Sequence, residues 1–184
     1  KGYDKNGNIE NEWVNGKKLE KETEPHSFRL RFLYGSLSVE TATSTNTSIR
    51  FIWNDWGLGQ TKESYLDART GEKLEFLTQF TELSYTFDLS DLIYDSLTMT
   101  LGAGMPSGEA KITSSTNTEY KSSAVSGYTL FSVFGIEFSY FEILAGFRLN
   151  NITYSEFESS SANTLDGDYT AWGGQPMLGL GFSF

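Results

Sequence analysis

From residue 28 onward, the chain repeats one pattern, in which apolar side chains alternate with small or polar ones over short runs. In one run, Leu83, Tyr85 and Phe87 alternate with polar neighbours. A period of two places successive side chains on opposite faces of a β-strand. The sequence therefore predicts an all-β fold of antiparallel strands, each with one apolar and one polar face.

The most apolar stretch, residues 130–147, has the length of a membrane helix but contains Glu137 and Glu142. A carboxylate at the centre of a spanning helix costs about 2.5–3.5 kcal/mol on insertion scales, and this stretch would carry two. Its aromatic and β-branched residues favour strands, as do Gly135 and Gly146 as helix breakers. We interpret this stretch as two strands around a tight turn near residues 139–141.

Counting such runs predicts eight strands. The first hairpin turns at residues 34–36. Later connections are short near 43–48, 90–96 and 139–141, and long at 57–73, 106–126 and 156–169. An even strand number with short and long connections at opposite ends is typical of up-and-down barrels that cross a membrane. If residues 28–41 form one strand instead, the count falls to seven, and the eighth strand must come from the N-terminal residues.

The polar faces separate a membrane barrel from a soluble sandwich or lipocalin-like barrel, which would expose Lys, Glu, Thr and Gln there. They carry six glycines, which suit a crowded lumen: Gly102, Gly104, Gly135, Gly146, Gly179 and Gly181. Arginines and carboxylates, including Glu40 and Glu142, share these faces. We predict a charge network in the lumen, formed by Arg29, Arg31, Arg50, Glu82, Asp88, Glu137 and Arg148, because arginine and carboxylate pair through two hydrogen bonds.

The chain ends in MLGLGFSF, with Leu178, Leu180, Phe182 and Phe184 on one strand face. This ending resembles the C-terminal strand of bacterial outer-membrane β-barrels, and residues 26–184 resemble the small eight-stranded barrels of the OmpA, OmpX and OmpW type. The resemblance implies that this strand closes the barrel against the first strand and is recognised by the barrel-assembly machinery. It further implies contact with outer-membrane lipid and lipopolysaccharide, with the long loops extracellular in a Gram-negative cell envelope.

Aromatic girdles are expected at both membrane interfaces of such a barrel. The tyrosines and tryptophans near predicted strand ends fit this role: Trp53, Trp56, Tyr65, Tyr85, Tyr94, Tyr128, Tyr140, Tyr154 and Trp172.

Composition excludes several functions for these 184 residues. A net charge of −10 argues against nucleic acid, which is bound by basic patches, and the absence of Cys excludes thiol chemistry. Outer-membrane barrel enzymes use a His with Ser, Asp or Asn partners, whereas the sole histidine here is His26, at a strand entry. The run Asp4–Asn8 begins like a calcium loop but has Ile9 where an EF-hand needs Gly. We expect no catalytic, cofactor or metal site.

Residues 1–25 contain eleven charged side chains and the turn signals Asn6-Gly7 and Asn15-Gly16, which predict a polar extension that is flexible or a light hairpin. No signal peptide is visible at the start, so the sequence as given is expected to be a mature form, a trimmed form or a protein without one.

These observations predict a non-enzymatic outer-membrane barrel with a structural or surface-interaction role, as an individual protein or as a subunit of an envelope complex. A narrow, porin-like channel or transporter for small or apolar molecules is the alternative, since glycines line the predicted lumen.

Overall fold

The computed structural model describes residues 28–68, 72–89, 96–159 and 167–184, together with the backbone of residues 2–3, 9–14, 17–19, 69 and 164–165. Eight long strands follow one another within residues 28–184 of this described part: β1 (Phe28–Val39), β2 (Ala42–Trp53), β3 (Trp56–Arg69), β4 (Glu72–Asp88), β5 (Leu97–Thr113), β6 (Glu119–Phe138), β7 (Phe141–Ser159) and β8 (Tyr169–Ser183). Each pairs antiparallel with the next, and β8 pairs with β1. The predicted eight-stranded, up-and-down barrel is confirmed.

The barrel has two ends. The terminal end holds Phe28, the turns at residues 54–55 and 139–140, and Phe184, whereas the distal end holds the turn at residues 40–41 and the segment 114–118. Phe184 N–H donates to the Phe28 carbonyl at 2.8 Å, so the chain termini of the barrel meet. No helix in the described ranges is long and apolar enough to cross a membrane.

The predicted first hairpin is wrong, because Gly35 lies inside β1 and pairs with Asn46 of β2. The chain turns instead at Glu40, whose φ is 52°. A Cβ on Gly35 would lie 2.5 Å from the carbonyl oxygen of Pro176, so this glycine marks a close approach of β8 rather than a turn. The eighth strand is β3, from the segment predicted as a loop, and not from the N-terminal residues.

The predicted long loops at residues 57–73 and 106–126 are mostly strand, as is the predicted turn at 43–48. Only residues 114–118 separate β5 from β6, and β7 extends to Ser159 inside the third predicted loop. Their Thr residues are polar but favour strands, so polarity alone does not mark these segments as loops. The predicted long connections are therefore mostly wrong, because the strands extend further toward the distal end than the sequence indicates.

The outward faces form an apolar belt around the terminal part of the barrel. Phe51 and Trp53 on β2, for example, are exposed to the outside, whereas Thr43 lies on the same outward face toward the distal end. Large apolar side chains are exposed on all eight strands: Phe32, Ile49, Phe51, Leu58, Leu83, Leu101, Phe134, Ile136, Ile143, Phe147, Leu178, Leu180 and Phe182 among them. A band of this kind has no counterpart on a soluble barrel, which buries its apolar face.

Two of the predicted girdle residues do not belong to the outer surface. Tyr65 and Tyr154 face the lumen, where both stack on Phe76. Trp53, Trp56, Tyr128, Tyr140 and Trp172 are exposed on the outside, Tyr85 is partly exposed, and Tyr94 lies outside the described residues.

Three short strands, Gly2–Tyr3, Ile9–Val14 and Lys17–Leu19, pair antiparallel in a separate sheet. The predicted calcium-like run Asp4–Asn8 and the sole histidine, His26, lie outside the described residues.

The seam between β8 and β1 is shorter than the ladder on the other side of β8. The β8–β1 ladder has six residue pairs in the described strands, from Leu178 with Tyr34 to Ser183 with Arg29. The β7–β8 ladder has fourteen. Pro176 lies just beyond the last pair and has no N–H to donate. The distal parts of both strands, Gly35–Val39 and Tyr169–Met177, are therefore not paired with each other.

Candidate functional site

The inward face of β7 shows how the lumen is layered. From the terminal end it presents Glu142, Leu144, Arg148 and Asn150 in turn, and Tyr154 near the distal end. Because inward positions recur every second residue, this one strand contributes to a charged layer, an apolar layer, a second charged layer and an aromatic layer.

The terminal charged layer is centred on Arg31 and Glu142, whose side chains are 1% and 0% exposed. Arg31 Nε and Nη2 donate to the two carboxylate oxygens of Glu142 at 2.7 and 2.6 Å. The remaining guanidinium contacts are donations to the hydroxyls of Thr100 at 2.6 Å and Thr98 at 3.0 Å. This is a bidentate, charge-assisted pair with further acceptors around it.

Arg29 extends this layer toward the terminal rim. Its Nε lies 3.5 Å from a Glu142 oxygen and its Nη2 lies 3.8 Å from a Glu137 oxygen. Glu137 also accepts a hydrogen bond from the hydroxyl of Ser183 at 2.8 Å. The last strand is thereby joined to the charged layer by a side chain as well as by its backbone.

The second charged layer is centred on Glu82, which bridges two arginines. Arg50 Nη2 donates to one of its oxygens at 2.7 Å and Arg148 Nη2 donates to the other at 2.5 Å. Arg148 also donates to the hydroxyls of Thr61 at 2.7 Å and Thr129 at 3.1 Å. The three charged side chains are at most 1% exposed, so a single buried carboxylate is shared by two buried guanidinium groups, which depend on it for their charge-assisted hydrogen bonds.

Phe131 covers the second charged layer. The Arg50 guanidinium carbon lies 4.0 Å from its ring centroid, a cation–π distance. Phe131 also belongs to the apolar layer between the two charged layers, with the buried side chains Leu33, Val133, Leu144 and Met177. The six predicted lumen glycines all face this interior, and a Cβ on Gly102 would come within 2.2 Å of the Phe131 ring.

Six of the seven residues predicted for the charge network lie in these two layers. The seventh, Asp88, is exposed at the terminal end of β4. The predicted network does not include Glu142, which the structure places at the centre of the terminal charged layer. Its place on the polar face of β7 was visible in the sequence, but its contact with Arg31, 111 residues away, depends on how the strands are arranged around the barrel.

A cavity of about 710 Å³ lies at the distal end of the lumen. The carboxylates of Glu40, Glu63 and Asp67 line it, and Asn150 lies among them. Glu63 accepts hydrogen bonds from the hydroxyl of Ser44 at 3.1 Å and from the amide nitrogen of Asn150. None of the described residues that line the cavity is Lys, Arg or His, so its electrostatic character is acidic.

Aromatic rings form one wall of this cavity. The ring centroids of Tyr65 and Phe76 lie 5.4 Å apart, and those of Phe76 and Tyr154 lie 4.7 Å apart, with interplanar angles of 12° and 15°. The Tyr154 and Thr78 hydroxyls are hydrogen-bonded. Sequence reasoning missed this site because it assigned Tyr65 and Tyr154 to the outer girdle and residues 57–73 to a loop.

No family model and no curated protein matches this chain. Among solved structures, the fold is similar to that of Neisserial surface protein A, with 13% sequence identity, coverage of 86% of this chain and 97% of that one, and a TM-score of 0.59. The fold is that of a small outer-membrane β-barrel. At this identity the likeness concerns the fold alone.

Two further structures also match. The N-terminal β-barrel domain of Pseudomonas aeruginosa OprF has 15% identity, with 88% of this chain and 100% of that chain covered and a TM-score of 0.49. A major outer membrane protein from Thermus thermophilus has 9% identity, with 86% of this chain and 100% of that chain covered and a TM-score of 0.44.

Within the part of this chain that the structure describes, no three His, Cys, Asp or Glu side chains are grouped to hold a metal ion.

Proposed function

We propose that this protein is a non-enzymatic, non-conducting anchor in the bacterial outer membrane that presents its distal end to partners at the cell surface. The exposed apolar belt supports the membrane location, because a patch of this size on a water-exposed surface would drive association. Lipid and lipopolysaccharide are the expected neighbours of the belt. The polar outward side chains beyond it, such as Thr43 and Thr45, suit the distal end for contact with water and with protein or glycan partners.

The observation that carries the non-conducting role is the filling of the lumen. The Arg31–Glu142 pair, the apolar layer around Leu144 and the Glu82 bridge lie one above another along the same interior. Eight-stranded barrels have an interior just wide enough for side chains to fill. Moving an ion through would require separating buried ion pairs, whose charges would lose their partners.

The closing strand supports the same proposal. Leu178, Leu180 and Phe182 face outward on β8 and the exposed Phe184 follows it directly, where the barrel-assembly machinery would recognise them during insertion. The role as a subunit of an envelope complex remains a prediction, as does the extracellular position of the distal end.

Planar-bilayer recording tests the proposed function. Protein that floats with liposomes and shows heat-modifiable gel mobility is inserted, and we expect such protein to produce no discrete openings. Reproducible openings would contradict the proposal and would support a narrow channel or transporter.

Surface labelling of a Thr116→Cys variant in intact cells tests orientation, because this residue lies in the distal segment 114–118. A Tyr140→Cys variant at the terminal end is the control that should stay unlabelled.

A further inference from the structure

We propose that the distal cavity and the unpaired seam between β1 and β8 form a binding site for an organic cation that carries an apolar body, such as an ammonium amphiphile. The site lies on the distal side of the filled lumen, so ligand binding there does not depend on whether the barrel conducts ions.

The cavity extends through the seam. Gly174 and Trp172 line it, although both lie on the outward face of β8, where a Cβ on Gly174 would meet the outer side chain of Phe147 at 2.6 Å. Leu37 and Val39, on the inward face of β1, line the opposite side. Residues from both faces of the barrel wall can line one cavity only where the wall is interrupted. The interruption is the seam beyond Leu178 and Tyr34, where the β8–β1 ladder ends.

Gln175 sets the floor of this opening. Its side chain is 3% exposed and crosses from β8 to β2, where it donates to the Ser44 carbonyl at 2.9 Å and accepts from the Asn46 amide. The seam is therefore held together below this position by the β8–β1 ladder and at this position by one side chain. Above it, Leu37, Val39 and Trp172 offer an apolar surface beside the outer belt.

The polar groups of the cavity favour a cationic hydrogen-bond donor. Asn150 is 6% exposed and lines the cavity, and its buried Oδ1 accepts no hydrogen bond from the described residues. A buried acceptor without a donor is costly unless a ligand or water supplies one. Glu40, Glu63 and Asp67 add negative charge to the lining of the same cavity, while Arg148, the next charged residue below Asn150 on β7, is already paired with Glu82.

The aromatic wall favours the same ligand. Partly exposed Tyr65 and exposed Trp172 line the cavity together with carboxylates, a combination that recognises ammonium groups through cation–π attraction and charge. An anionic head group would meet three carboxylates with no basic side chain among the described lining residues. The chemistry therefore selects an ammonium group in the cavity and an apolar body toward the seam.

The test is calorimetric titration of the full chain in nanodiscs of zwitterionic lipid with three water-soluble probes of similar size. We expect benzylammonium, which carries N–H donors, to bind at least about tenfold more tightly than neutral benzyl alcohol, which is similar in size but lacks the charge, and benzenesulfonate not to bind. This comparison needs no variant. Equal affinity for the cationic and neutral probes, or tighter binding of the anionic probe, would overturn the proposal.

Variants then locate the site. Glu63→Gln keeps the shape of the side chain and should weaken binding of benzylammonium by about tenfold, because one charge in the cavity lining is lost. Glu72→Gln makes the same charge change at an exposed position of β4 outside the cavity and should leave the affinity unchanged. Trp172→Ala should weaken binding of the cationic and neutral probes alike. If Glu63→Gln and Glu72→Gln have equal effects, the ligand does not occupy this cavity.

Discussion

Replacing Glu82 with Gln is the perturbation that tests the electrostatic account of the lumen most directly. Glu82 accepts from Arg50 at 2.7 Å and from Arg148 at 2.5 Å, with all three side chains at most 1% exposed. Glutamine preserves the volume of the side chain but removes its charge, so two buried guanidinium groups would face a neutral partner. Their mutual repulsion would no longer be offset.

The magnitude follows from the two contacts. With an effective dielectric constant of about 20 and charge centres about 4 Å apart, each ion pair is worth about 4 kcal/mol of Coulomb energy. Much of that offsets desolvation, and removing one partner of a buried pair typically costs about 3–5 kcal/mol. We therefore expect Glu82→Gln to lower the free energy of unfolding by about 3–5 kcal/mol, a large part of the roughly 5–15 kcal/mol of a typical domain.

Equilibrium unfolding by urea in detergent, followed by tryptophan fluorescence, measures this loss, and heat-modifiable gel mobility reports the folded barrel. Glu72→Gln is the matched control, an exposed position at which we expect a change within about 0.5 kcal/mol. A loss below about 1 kcal/mol for Glu82→Gln would refute the reasoning. The triple replacement Arg50→Met, Glu82→Leu and Arg148→Met should regain stability, because no buried charge is left without a partner. If it is as unstable as the single variant, packing rather than charge accounts for the loss.

Two further predictions concern the outer belt and the lumen glycines. Leu180→Arg should destabilise the barrel by about 2–4 kcal/mol in lipid while Thr43→Arg has little effect, since the cost of a charge falls toward the interface; equal losses in liposome unfolding experiments would contradict the position of the belt. Gly102→Ala should cost about 1–3 kcal/mol, because its Cβ would displace the Phe131 ring from 2.2 Å, whereas Gly173→Ala meets nothing within 4 Å and should be tolerated. If these two variants unfold at the same urea concentration, the lumen is not tightly packed at Gly102.

The distal end shows why sequence reasoning failed in particular places. Residues 57–73 contain glycines and charges, which resemble a loop, yet β3 pairs with β2 over Trp56–Asp67. Beyond the apolar belt, the outward face of a strand can be polar, and in the distal lumen its inward face meets a cavity. The alternation of apolar and polar residues then disappears although the backbone ladder continues, and the period-two signal disappears with it.

The short β8–β1 ladder could not be predicted for a related reason. Pro176 and the glycines at 173 and 174 were visible, and each weakens a strand. Whether the β8–β1 ladder or the β7–β8 ladder is the one that ends early depends on the register of the strands, which cannot be read from the sequence. The cavity arises where this interruption meets Tyr65, Phe76 and Tyr154, which come from three other strands.

The sequence by itself determined the strand class and the face on which most side chains lie. It could do so because a strand has a period of two, and a membrane barrel must turn its apolar face to lipid. Its count of eight strands agrees with the structure only because one false hairpin at Gly35 and one missed strand, β3, offset each other. The tertiary structure alone decided which residues meet. Arg31 finds Glu142, and Arg148 finds Glu82, across the lumen and far apart in the chain. Strand tilt and register set these contacts, and neither is written in the pattern of any single strand.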